Sequence, residues 1–280
     1  MQYELIDSGE GEKLERYGEV LMRRPDPGAL WKKYLPEGEW KKAQAVYTRH
    51  GQKGTWKLSK EVPQEWELSF AELRFIIKPT SFKHTGLFPE QVENWQFTED
   101  VIRRARGPVK VLNLFGYTGG ATLAAARAGA EVCHVDGSKT AVAWARKNAA
   151  LSGLADAPIR WIVDDCIAFL KRETKRGQKY DAIIMDPPAF GHGPKDELWK
   201  IEEDFLKVLD LCKSVLSENP VFIVINGYAA GYSPRAYEQS LRQMLSNKKG
   251  VYESGELVLT AQNKTHTLPC GIYARWSAHG

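Results

Sequence analysis

From residue 109 to residue 226 the chain alternates short apolar, β-branched runs with stretches of helical periodicity. The runs fall at 109–115, 131–135, 159–163, 180–186 and 220–226, and the intervening pattern predicts helices near 119–128, 138–152, 165–176, 197–217 and 234–247. Such alternation marks βαβ units, whose crossovers make neighbouring strands parallel. Residues 252–261 and 267–276 break the pattern as two consecutive strands joined by a polar Gln-Asn-Lys turn. Five βα repeats closed by a hairpin are not two matched dinucleotide-binding halves. They predict an α/β fold with a seven-stranded sheet, five βα strands and a terminal hairpin.

Functional groups of such sheets gather at the carboxyl ends of the strands, and four of these ends carry a signal. The first is Asn113-Leu-Phe-Gly-Tyr-Thr-Gly-Gly120. Its glycines permit a tight backbone bend and close approach of a ligand. The spacing G-x-x-G-G lacks the dinucleotide fingerprint. Asp136, ending the next run, is placed to accept hydrogen bonds from a ribose diol, or to cap the helix beginning near Ser138. Asp164-Asp165-Cys166 ends the third. A carboxylate there can accept from an exocyclic amine while the Cys166 amide donates to an adenine ring nitrogen, and helix capping is the competing role. A Gly turn, a ribose acid and an adenine acid at successive strand ends suit S-adenosylmethionine better than a nicotinamide cofactor.

Asp186-Pro-Pro-Ala-Phe190 is the most specific element. Two prolines after a buried strand continue neither helix nor ladder. They fix a rigid turn presenting the Asp186 carboxylate and the Pro187 carbonyl as acceptors, with Phe190 free to stack on a planar substrate. Gly191-His-Gly-Pro194 beyond it reads as a mobile lid, in which His192 is a general base or merely solvated.

Residues 1–80 read as a small β-rich domain, a candidate for binding substrate or RNA, and 81–280 as the catalytic domain. Strand-like runs occur at 18–22, 45–48 and 56–58, and Trp66–Phe70 with Leu73–Ile77 forms a hairpin pair. Pro25-Asp-Pro-Gly28 is a turn opening a short helix through 29–33. Segment 21–60 holds ten basic against three acidic residues, a balance of 10 − 3 = +7, interleaved with Trp31, Tyr34, Trp40, Tyr47 and Trp56. This is either a phosphate- and base-binding face or a solvated basic surface over an aromatic core. Residues 81–91 form a connector, and a helix is predicted at about 89–106.

The four cysteines are far apart and pair with no histidine at metal-ligand spacing, so free thiols in a reducing cytoplasm and no metal are expected. No run approaches the ~20 apolar residues of a membrane span, and the first residues lack a signal-peptide pattern.

Residues 113–120, Asp136, Asp164-Asp165 and Asp186–Phe190 resemble the bacterial S-adenosylmethionine-dependent methyltransferases related to the 23S ribosomal RNA cytosine-5 and guanine-7 enzymes. Thr85-Gly-Leu-Phe-Pro-Glu-Gln91 is similar to the connector that lines the cofactor site of that group. The resemblance runs from about residue 80 to 276. It implies a Rossmann-like methyltransferase domain, the last strand of its seven-stranded sheet antiparallel, binding S-adenosylmethionine through Thr85, Gln91, Asn113, Phe115, Gly116, Tyr117, Thr118, Gly119, Asp136, Gly137, Ser138, Asp164, Asp165, Cys166 and Asp186. Asp186, Pro187 and Phe190 are then the catalytic set. Two departures bear on the chemistry. Asn113 stands where an acidic residue is common, and the fifth strand ends Ile225-Asn-Gly-Tyr228 where the cytosine-5 members carry a cysteine nucleophile. Covalent C5 chemistry by that route is therefore not expected, and Cys270 is the other thiol to consider. Asn226 or Tyr228 completes the pocket. The expected activity is methylation of a ribosomal RNA base at a nitrogen. The alternatives are a small-molecule or protein methyltransferase, and a non-catalytic cofactor- or RNA-binding module.

Overall fold

The computed structural model describes residues 2–50, 53–81, 83–228 and 231–278. They divide into two compact units, residues 1–90 with 258–270, and residues 91–257 with 271–280.

The first unit opens with strands β1 (Tyr3–Gly9), β2 (Glu12–Tyr17) and β3 (Val20–Pro25). A single-turn helix α1 (Glu37–Trp40) precedes β4 (Ala45–His50) and β5 (Lys53–Leu58). The five strands form one sheet in chain order, antiparallel except where β3 meets β4. Strands β6 (Trp66–Phe70) and β7 (Leu73–Ile77) make the expected separate hairpin. The sequence pattern missed β1 and β2 because their alternation carries buried charge. Glu15 on β2 is fully buried and receives two guanidinium N–H bonds from Arg24, at 2.7 and 2.9 Å. Asp7 on β1 is fully buried and accepts from the Leu35 amide and the Trp40 indole.

One expectation for this unit is corrected. Residues 29–33 form no helix; the Gly11 and Glu10 amides bond to Ala29 and Trp31 carbonyls instead, and Leu30 projects outward. The aromatic residues of the basic segment are mostly engaged within the unit, with Tyr34 exposed. Trp40 and Tyr47 are core residues, and the Trp31 and Trp56 indoles donate to the Ser8 and Thr80 carbonyls. Arg23, Arg24, Lys33 and Lys42 pair with carboxylates of their own unit. Lys32, Lys41, Lys57 and Lys60 lie exposed, and the side chain of Lys53 falls outside the described residues, as does Phe82 of the connector.

In the second unit a short 3-10 turn at Pro89–Gln91 leads into α2 (Val92–Arg104). The alternation then runs β8 (Lys110–Leu114), α3 (Gly120–Arg127), β9 (Glu131–Asp136), α4 (Lys139–Leu151), β10 (Ile159–Val163), α5 (Cys166–Lys175) and β11 (Ala182–Met185). Next come β12 (Phe190–His192), β13 (Leu198–Lys200), α6 (Ile201–Val215), β14 (Phe222–Gly227), α7 (Pro234–Met244), β15 (Val251–Thr260) and β16 (Thr267–Ser277). The seven-stranded sheet has the order β10-β9-β8-β11-β14-β16-β15, with β16 antiparallel to β14. That is the expected α/β sheet.

Its central strands are apolar on both faces, as strands sandwiched by helices must be. Leu112, Leu114, Ile183 and Ile223 pack with residues of α5, α6 and α7, whereas Val111, Ala182, Ile184 and Val224 pack with residues of α2 and α3. Asp186, Asp136 and Asn226 are thereby brought to the same end of one rigid sheet. Residues 191–194, read from the sequence as a mobile lid, belong to a short hairpin, β12 against β13. The Gly193 amide bonds to the Glu197 carbonyl, and Asp196 turns the chain with a positive φ of 66°.

Candidate active site

The glycine-rich turn leaves β8 in a strained conformation. Phe115, Tyr117 and Gly119 all lie in the left-handed region, with φ of 56°, 45° and 90°. For the two non-glycine residues this costs of order 1–3 kcal/mol each, and it persists only where surrounding contacts impose it. Those contacts are visible. The Gly116 amide donates to the Val135 carbonyl, the Thr118 carbonyl accepts from buried Asn148 at 2.9 Å, and the Tyr117 amide donates to Asp136. Gly116 has a specific steric reason. A Cβ there would stand 2.5 Å from the His134 ring.

His134 lies beneath the turn, fully buried, as the end of a chain in which Asn113 donates to Thr122 at 2.8 Å and Thr122 meets His134 Nδ1 at 2.9 Å. Asn113 thus turns its amide into the support of the loop. Burial depresses the His134 pKa to about 3, so the ring is neutral.

Asp136 closes β9 half-exposed. Its two oxygens accept from the Tyr117 and Ser138 amides, each at 2.8 Å. Burial raises its pKa, against the lowering effect of those two donors. A carboxylate offers about four lone-pair positions, so two remain for a diol. Helix α4 is capped by Ser138, not by Asp136.

At the end of β10 the capping role is realised: Asp165 accepts from the Ala168 amide at 2.8 Å as the N-cap of α5. Asp164 accepts from the Asp165 amide and pairs with Arg172. Cys166 is the first residue of α5, where an N–H has no partner within the helix. Its thiol is buried and pushed well up by desolvation. The turn of the β12–β13 hairpin lies over this end of the sheet. Gly193 Cα is 3.4 Å from where a Gly137 Cβ would be, and a Gly193 Cβ would meet Asp165 at 3.2 Å.

Asp186 follows β11, with its amide directed at the Leu114 carbonyl at 3.4 Å. Pro187 is buried, and the Pro188 carbonyl accepts from the Trp199 indole at 2.6 Å. Trp199 also packs on Phe115, with centroids 4.9 Å apart, so one indole joins the hairpin, the proline turn and the glycine turn. Phe190 is 57 % exposed on β12, beside His192, which pairs with Asp196.

The end of β14 is organised by amides from α2. Asn94 donates to Asn226 Oδ1 at 2.7 Å, and Gln91 donates to the Tyr228 hydroxyl at 2.8 Å. Thr85 is fully buried in the first unit. Cys270 also belongs to that unit, half-buried, with its thiol pushed up by burial. Sequence reasoning missed Trp199, Asn94, Asn148 and His134. Glu-Leu-Trp-Lys before a helix was the available hint for Trp199; the other three look like ordinary core or helix residues in sequence.

Among the described residues no cluster of metal-binding side chains occurs, and no helix is long and apolar enough to cross a membrane.

A family model described as S-adenosylmethionine-dependent methyltransferase matches residues 38–240, more than half of the chain. The ribosomal RNA large subunit methyltransferase K/L of Shewanella frigidimarina is 34% identical over 183 residues, covering 64% of this chain and 25% of that protein. The protein of the same name from Alteromonas mediterranea is 32% identical over 222 residues, covering 78% and 29%. The chain therefore spans about a quarter of the length of these curated relatives. Among solved structures, a SAM-dependent methyltransferase from Agrobacterium tumefaciens is 40% identical with a TM-score of 0.95, covering 99% of this chain and 91% of that one. A putative SAM-dependent methyltransferase from Streptococcus mutans shares the fold at 18% identity, with a TM-score of 0.75 and coverage of 99% and 75%.

Proposed function

The chain belongs to the S-adenosylmethionine-dependent methyltransferase family, and we propose that it methylates a base of ribosomal RNA at a nitrogen atom. The observation that carries this reading is the pairing, on one sheet, of the Asp136-tied glycine turn after β8 with the Asp186-Pro187 turn after the neighbouring strand β11. The first suits the donor and the second the acceptor.

The residues fit the cofactor on chemical grounds. Asp136 keeps lone pairs for a ribose diol after accepting two amides. The left-handed turn at Phe115, Tyr117 and Gly119 lets backbone approach a ligand. Asp165 has one oxygen engaged in capping, and the Cys166 amide heads a helix. When bound, S-adenosylmethionine supplies a methyl group already activated by its sulfonium. Alignment and electrostatics are what remain for the protein. In this reading Asp186 and the Pro187 carbonyl accept hydrogen bonds from the acceptor, and exposed Phe190 stacks on its ring. The β12–β13 hairpin excludes water from the adenosine side.

Nitrogen is favoured over C5 because no thiol of the second unit is placed for attack. Cys133, Cys166 and Cys212 are buried, burial raises the pKa of each, and the end of β14 carries Asn226. The ribosomal substrate comes from the names of the relatives and from the exposed lysines of segment 21–60. Affinity for ribosomal RNA, measured across a salt series, tests it. Phosphate contacts predict a linear loss of log affinity with log salt, and salt-independent or absent binding contradicts it.

A further inference from the structure

Tyr237 is only 2 % exposed, and its hydroxyl has no hydrogen-bond partner among the described residues. Leaving a buried hydroxyl unpaired costs about 1–3 kcal/mol, whereas phenylalanine of the same shape carries no such penalty. Packing does not explain the oxygen either. The ring is held by stacking on Phe205, with centroids 5.2 Å apart, and on Tyr232, at 6.1 Å. Phenylalanine would keep both contacts.

The position is informative. Tyr237 lies in the first turn of α7 and fills the space at Gly227, the last residue of β14. A Cβ at Gly227 would stand 2.2 Å from the ring and 2.6 Å from the hydroxyl oxygen. The glycine thus brings the phenol against the strand end that carries Asn226. Strand β11 pairs with β14, Met185 opposite Ile225, so Asp186 stands beside this same strand end. Burial, with Tyr232 and Asp186 adding to it, pushes the phenol up to about 12, so it holds its proton at neutral pH.

We propose that the Tyr237 hydroxyl donates a hydrogen bond to the methyl acceptor while Asp186 accepts one, so that the pair reads a heteroaromatic edge offering an acceptor beside a donor. This rests on, and deepens, the base-methylation reading. It makes Tyr237 an acceptor-binding residue; the methyl group itself moves elsewhere.

The test is Tyr237→Phe, compared with the unaltered protein using labelled S-adenosylmethionine and total cell extract fractionated into RNA, protein and small molecules. The expected result is unchanged cofactor affinity, an equal or higher melting temperature, and at least a fivefold loss of kcat/KM that falls mainly on acceptor KM. Unchanged turnover overturns the proposal. So does a cofactor affinity that drops in step with turnover. If label reaches only protein or small molecules, the RNA reading fails alone, and the same variant comparison on that acceptor still decides the role of Tyr237. Absence of label from every fraction overturns both.

Discussion

The backbone N–H of Tyr117 donates to Asp136 Oδ2 at 2.8 Å, tying the strained glycine turn to the acidic end of the neighbouring strand. One carboxylate therefore shapes the loop and faces the site. Asp136→Asn removes the charge and one acceptor oxygen. Hydrogen bonds to charged groups contribute about 1.5–3 kcal/mol, so calorimetry should show the S-adenosylmethionine Kd rising roughly tenfold or more. An unchanged Kd would remove Asp136 from the donor site.

The close approach of Gly116 to His134 yields a steric prediction. Gly116→Ala pushes a methyl into the imidazole, and overpacking of this kind costs about 1–3 kcal/mol. The melting temperature should fall by several degrees, with cofactor binding weakened. Gly107→Ala is the control, since a Cβ there meets nothing within 4 Å. Equal effects at the two positions would show that the His134 contact does not shape the turn.

Much of this arrangement was legible in the chain, for a physical reason. Strands buried on both faces read as continuous apolar runs, and the acids that end them interrupt those runs at the points where they leave the core. Hence β8 to β11 and β14 could be placed, with Asp136, Asp165 and Asp186 at their ends. The hairpin at 190–200 was not legible, because it is held by Trp199 reaching back to the Pro188 carbonyl, a pairing invisible to local periodicity. Strands β1 and β2 were hidden for the opposite reason: Asp7 and Glu15 point inward, and long-range partners such as Trp40, the Leu35 amide and Arg24 make that tolerable.

Buried His134 makes stability depend on pH. Its pKa in the folded protein is about 3, below the unfolded value of about 6.5. The unfolded chain therefore takes up the proton first. The contribution is complete above about pH 6.5 and declines as pH falls, reaching about 1.4 kcal/mol of lost stability at pH 5.5. Urea midpoints at pH 7.5 and 5.5 should show this decline, and His134→Gln should flatten it. An equal slope in the variant would rule out His134 as its source.

In the proposed reading Asp186 and Phe190 serve the acceptor, from the strand beside the glycine turn. Asp186→Ala should abolish most turnover while leaving S-adenosylmethionine affinity largely intact, and Phe190→Ala should chiefly raise acceptor KM. Matched losses of turnover and cofactor affinity would contradict the assignment of Asp186 to the acceptor.

The most direct measurement is transfer of a labelled methyl group from S-adenosylmethionine to ribosomal RNA taken from a strain lacking this gene, followed by nucleoside mapping. Nitrogen methylation of a base, as proposed, predicts label on a single base, at a nitrogen. Label at a cytosine C5, or none in RNA while the cofactor binds, would contradict it.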